Sequence, residues 1–287
     1  MDNSTIIKRA LAIVVTLMAA LGCDDEEPRY PVEPFIDNVT LSFIKGPFPG
    51  ASDQLLLDLH IRDGDFDLGT NDVAAPYHPF YLFLDDHGSL VAVEVMPTEI
   101  DGEVIYNFDA QAAGTVGTFA QLRRTQENVI PYSCVDYSYL KVLATPDLVD
   151  RATANVIDTL VIEGDEMWLV ADTFQILHNE NHYNLSVDFL VEQANGEFAY
   201  VDLMTLSCGT FHGRFFPLDD LTVGDLVLSG PFTIQRTARA RAAVSYSMQS
   251  QAFNAVFFGK KIKVRVSVKD RALNNSNTIE TEAVLIQ

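Results

Sequence analysis

The sequence predicts a mostly β protein, an antiparallel β-sandwich of one large or two packed modules with at most one short helix. Three observations carry this. In Leu55–Arg62, the apolar Leu55, Leu57, Leu59 and Ile61 alternate with Asp58, His60 and Arg62; in Lys261–Lys269, Ile262, Val264, Val266 and Val268 alternate with Lys261, Lys263, Arg265 and Lys269. A period of two marks a strand with one face on a core and the other toward solvent. Turn signals punctuate the apolar runs at Asp86-His87-Gly88, Asp101-Gly102, Ala194-Asn195-Gly196 and Asn274-Asn275, where the residue types tolerate tight backbone geometry. Few segments keep a helical period.

In chain order, further strands are expected at Asn38–Ile44, Phe80–Leu84, Leu90–Met96, Val104–Phe108, Asp158–Ile162, Met167–Ala171, Asn184–Val191, Ala199–Met204, Leu226–Phe232 and Ala242–Met248. The helix candidate is Thr145–Val156, with Thr145 as N-cap and Pro146 at the first position, where proline's missing N–H costs nothing. Leu57–Asp63 and Val264–Asp270 echo each other, since both alternate and both end in a basic residue followed by Asp. That echo hints at two related modules. The expected organisation is a signal peptide at 1–22, an acidic, proline-rich tether at 23–34, an N-terminal β module at 35–125 and a C-terminal sandwich module at 126–287.

The N-terminus has the layout of a bacterial lipoprotein export signal. Lys8-Arg9 precedes the uncharged run Ala10–Leu21, then come Gly22 and Cys23. About a dozen apolar residues are too few for a permanent span. Cys23 is the expected lipidation site, and with several acyl chains, at ~0.8 kcal/mol per buried methylene, it would hold the protein on a membrane. The three residues before it are Ala20-Leu21-Gly22, with Ala where Leu is more usual. An ordinary secretory signal cut nearby, or an uncleaved anchor, would use the same residues. Asp24–Pro34 combines four consecutive acids with three prolines, a composition suited to a tether.

Formal net charge is −21, which repels phosphate backbones and excludes nucleic acid as an expected partner. The charge is uneven: from Gly230 to Gln287 nine basic residues stand against three acidic ones. Such asymmetry suits mutual attraction of the two regions, a cation or basic partner for the acidic part, or simply a solvated surface. Besides Cys23 the cysteines are Cys134 and Cys208. In an exported chain this pair reads as one disulfide, the alternative being two buried thiols.

Asp63-Gly-Asp65-Phe-Asp67-Leu-Gly69 places three carboxylates at alternate positions directly after a strand. Ca2+ takes several oxygens at ~2.3–2.6 Å, so Asp63, Asp65 and Asp67 are candidate ligands for a structural Ca2+; a polar turn whose aspartates bond backbone amides is the rival. An EF-hand is excluded, because Leu68 and Ala74 occupy the positions of its required Gly and Glu. His178-Asn-Glu-Asn-His182 has histidines four apart, but Glu180 sits one place too late for a zinc-protease motif. His60, His78, His87 and His212 show no ligand spacing. No nucleophile elbow, phosphate loop or dinucleotide fingerprint occurs.

Three segments, Asp63–Gly69, Cys208–Leu218 and Val268–Thr281, resemble surface lipoproteins of Bacteroidetes-type bacteria, and the resemblance spans most of the chain after Cys23. It implies that Asp24–Glu27 serves display at the outer surface. The last segment also resembles the final hairpin of bacterial immunoglobulin-like domains, with Asp270, Ala272 and Asn274 fitting an Asp-x-Ala-x-Asn turn; this implies an immunoglobulin-like sandwich. The chain departs from the lipoproteins at Phe66, where they usually carry a second glycine. No activity comes with the resemblance.

The expected function is therefore a cell-envelope protein, lipid-anchored in the outer membrane, facing the cell surface or periplasm. It acts as a non-catalytic binding or structural module rather than an enzyme, meeting an envelope protein or an extracellular ligand. Two alternatives are a subunit of a larger envelope assembly, docked through Lys261, Lys263, Arg265 and Lys269, and a sandwich-fold hydrolase, which would show as two carboxylates converging in a cleft.

Overall fold

The computed structural model describes residues 30–48, 51–72, 76–83, 92–94, 96–107, 133–149, 151–152, 154–249 and 256–287. The signal peptide, Cys23 and most of the tether lie outside the described residues, as do the turn at 86–88 and parts of the strands expected at 80–84, 90–96 and 104–108. No helix among the described residues is long and apolar enough to cross a membrane.

The body opens with the hairpin β1 (Phe35–Ile44) and β2 (Gln54–Arg62). A long excursion follows, holding β3 (Phe80–Phe83), β4 (Ala92–Glu94), β5 (Met96–Ile100), β6 (Glu103–Asn107), β7 (Tyr137–Ala144), β8 (Val156–Ile162) and β9 (Asp165–His178). The chain then adds β10 (Leu185–Glu192), β11 (Phe198–Val201), the short helix α1 (Leu203–Ser207), β12 (Leu226–Ser229), β13 (Phe232–Ala238), β14 (Arg241–Gln249), β15 (Lys261–Val268), β16 (Ile279–Glu280) and β17 (Val284–Leu285).

Two antiparallel sheets face each other. One runs β1-β2-β14-β13-β12, the other β11-β10-β15-β16 with β17 also on β15. Their facing side chains form one core: Leu55, Leu57, Leu59 and Ile61 of β2 meet Leu185, Val187, Phe189 and Val191 of β10 and Ile262, Val264, Val266 and Val268 of β15. The alternation in β2 and β15 is thus the alternation of burial, every second residue lying in the core. Face-to-face packing of two such sheets defines a β-sandwich. The excursion builds a third sheet, β4-β3-β9-β7-β6-β5, with β8 also on β9. Its buried side chains include Phe80, Val142, Trp168, Val170 and Phe174. Here β6 and β7 pair in parallel, the exception in an otherwise antiparallel fold.

Strand pairing crosses the boundary expected at 125/126. β2 pairs with β14, β3 with β9 and β6 with β7, so the sandwich draws on both ends of the chain and the third sheet is inserted between them. The echo of Leu57–Asp63 in Val264–Asp270 accordingly joins opposite sheets of one sandwich.

Three local expectations change. Among the described residues of Thr145–Val156 the helical part is a 3-10 turn at Pro146–Leu148, and the Thr145 side chain makes no capping bond. Asn155 instead exchanges bonds with Ala171, its amide donating to the carbonyl at 2.8 Å and its carbonyl accepting at 3.1 Å, which starts β8 on β9. The strand expected at Ala199–Met204 stops at Val201, because the Asp202 side chain accepts from the Thr205 amide at 3.1 Å and caps α1. The strand expected at Leu226–Phe232 forms as β12 up to Ser229, and Gly230-Pro231 then turns the chain into β13.

Side-chain amides pin the irregular segments. Asn277 bonds both the N–H (2.8 Å) and the C=O (3.1 Å) of Ile36, fixing the entry of β1 to the C-terminal segment. Asn184 does the same for Phe215 inside the protein, at 3.0 and 2.8 Å. Asn184→Ala should strand the Phe215 N–H, whose carbonyl still accepts from the Thr70 amide at 3.0 Å, and cost about 1–3 kcal/mol. Urea unfolding measures this; a loss below about 1 kcal/mol would mean that the pin does not hold the segment.

Candidate metal centre

β2 runs straight into the acidic loop. The amides of Asp63 and Gly64 donate to the carbonyls of Ala240 (3.0 Å) and Pro31 (2.9 Å). Beyond them, Phe66 takes a φ of +61° although it carries a side chain, in a region most side chains avoid. Burial of its ring, with the Arg236 guanidinium 4.1 Å above the centroid, offsets that strain. This is where the resemblance places glycine, and the left-handed backbone is the physical reason a glycine suits the position. Gly69 at φ +82° passes so close to Phe216 that a Cβ would lie 1.9 Å from its carbonyl oxygen. Leu68 bridges to Asp270, so the exits of β2 and β15 meet.

Asp63, Asp65 and Asp67 each offer a carboxylate oxygen within 4.8 Å of the others. Two oxygens on one Ca2+, each at ~2.3–2.6 Å, lie at most about 5 Å apart. Asp63 is fully buried, and neither of its carboxylate oxygens has a hydrogen-bond partner among the described residues; one oxygen of Asp67 is likewise unmet. The polar neighbour of Asp63 is Asp65, another carboxyl, which can bond it only through a proton shared between them. Burial, then Asp65, Asp67 and Asp270, push the Asp63 carboxyl up to about 8. Burial and the charges of Asp270 and Asp65 push Asp67 up to about 6, opposed by Arg271. Asp270 is itself held: its two oxygens accept from the Asn274 amide (2.7 Å) and side-chain nitrogen (2.8 Å). A buried acid with no donor and three acidic neighbours is the environment that a divalent cation neutralises.

Asp270 was legible in the sequence only as a turn residue; the echo of the two strand ends was the available signal that it belongs beside Asp63. The other expected sites separate. Cys134 and Cys208 are joined as a disulfide, with Cα atoms 5.4 Å apart. His178 and His182 do not share a helix face: His182 Nδ1 lies 3.0 Å from the Tyr77 carbonyl, while His178 Nε2 is 3.5 Å from that of Cys134. The cations of β15 meet their own sheet, with Lys261 on Glu192 (3.3 Å), Arg265 on Glu280 (2.9 Å) and Lys263 over the Phe198 ring (4.9 Å), while Lys269, just beyond the strand, donates to Asn181 in the 3-10 turn (2.7 Å). Carboxylates converge at Asp63, which is buried at 0 % exposure.

No family model matches this chain, and no curated protein matches it.

The Asp63 carboxyl has a folded-state pKa of about 8, above its ordinary 3.8. The metal-free fold therefore keeps a proton that the unfolded chain loses, and its stability falls as pH rises from about 4 to about 8. Thermal melts in EDTA should show this decline. At pH 7.5, Ca2+ at 100 times its dissociation constant should restore about 2.7 kcal/mol, a Tm rise of roughly 5–10 °C. Asp63→Asn should remove the Ca2+ response while melting in EDTA at or above the parent. A Ca2+ shift that survives this substitution would place the ion elsewhere.

Proposed function

We propose that this is a lipid-anchored cell-envelope protein whose sandwich is a non-catalytic binding or structural module, stabilised by Ca2+ held by Asp63, Asp65 and Asp67 beside Asp270. The observation that carries the proposal is Asp63, a fully buried carboxyl without a donor, set among three other acids. Millimolar Ca2+ outside the cell suits an all-carboxylate site of this kind, since extracellular modules bind at about 10⁻⁴–10⁻³ M. A disulfide within the fold suits the same oxidising compartment. The uncharged run ending at Cys23 supplies the anchor, and the acids at 24–27 the surface address. Membership of the surface lipoproteins that the sequence resembles belongs to the same proposal.

The test is cellular fractionation with intact-mass measurement in a bacterial host. The protein should be found with membranes, lacking residues 1–22 and carrying a diacylglyceryl group and an amide-linked acyl chain. Cys23→Ser should release it to the soluble fraction with no change in its Ca2+-dependent melting. A mature chain starting elsewhere, without lipid, would overturn the anchored reading and leave the cation site untouched.

A further inference from the structure

The outer face of the second sheet carries a cavity of about 490 Å3, within the range of small-ligand sites. Its floor is the pair Ser186 and Ser267, directly opposite one another on β10 and β15 and turned away from the core. One wall is α1 with the following residues through His212, tied to the 133–136 turn by the Cys134–Cys208 bond; the other is the 178–183 segment. The cavity thus gathers two motifs that the cation site does not use, His178–His182 and the segment beginning at Cys208.

What faces this space is an unengaged set of hydrogen-bonding groups. Tyr183, Ser186, Ser267, Glu180 and Asn275 line it, and none of their side chains makes a hydrogen bond within the described residues. His212 accepts from the Val187 amide through Nδ1 at 3.0 Å, so its neutral ring carries its proton on Nε2, a donor left over. Charge narrows the ligand. Glu180 and Asp202 face one cation, Lys269, whose ammonium already donates to Asn181. There is no surplus positive charge to hold a phosphate or carboxylate. Hydroxyl, amide and carboxylate groups around the Tyr183 ring match a molecule with many hydroxyls and an apolar ring face.

We infer that this cavity binds a neutral polyhydroxylated ring compound, a saccharide of one or two units. The inference rests on reading the protein as a binding module, while the Ca2+ and anchoring experiments stand separately. The test is saturation-transfer NMR on the intact oxidised protein in excess Ca2+, with glucose, galactose, N-acetylglucosamine, maltose and lactose as probes and glutamate and methyl phosphate as charged controls. At least one sugar should saturate with a dissociation constant of about 1 mM or tighter. Ser267→Phe fills the floor from the solvent side and should abolish binding. Glu180→Gln, in an exposed turn, should weaken it at least fivefold with unchanged melting, and it decides the matter if the bulky variant misfolds. Absence of saturable sugar binding, sugar binding untouched by Glu180→Gln, or preference for either charged control would each overturn the inference.

Discussion

β2 is the constraint on which the sandwich depends. It is hydrogen-bonded on both sides, to β1 from the start of the body and to β14 from near its end. Its four core-facing residues, Leu55, Leu57, Leu59 and Ile61, are at most 1 % exposed. A central strand of this kind cannot be satisfied by its hairpin partner alone, because one edge and one face would stay open. Only the return of the chain some 187 residues later, where Ser245 donates to Asp58, closes the sheet. The third sheet, β3 to β9, is carried between the two as an excursion. Long-range closure of this type is slow, since loop entropy is lost before contacts compensate for it.

The same closure places the chemistry. The strand exits at Asp63 and Asp270 come from opposite sheets, and they meet because Leu68 bridges to Asp270. Consecutive residues then serve different purposes: Asp270 faces the acidic loop, while Lys269 lines the cavity on the outer sheet face. A rigid edge with alternating side-chain directions can serve two sites within one residue step. The loop is strained at Phe66 and sterically closed at Gly69, so Asp63 is held by backbone geometry rather than by hydrogen bonds of its own carboxylate.

Burial in β2 and β15 was readable from the sequence because a two-residue period is a local property. Which sheet each strand joins was not, since partner choice depends on contacts far apart in the chain. That is why a boundary at 125/126 looked natural and why strand pairing crosses it. α1 has five residues, too few to show a period, although Asp202 and Thr205 were a readable cap. Asp63, Asp65 and Asp67 stood out by spacing; Asp270 did not, because its partnership is tertiary. Ser186 and Ser267 looked like ordinary solvent-facing positions, and only the placement of α1 over them makes a cavity.

The bond between Cys134 and Cys208 closes a covalent ring that contains β7 to β11 and all of α1. A protease that cuts the backbone once inside this ring separates no fragment, because the two pieces stay joined through sulfur and each remains paired to strands outside the ring. Such a nick is a scar rather than a loss, visible on a gel only after reduction.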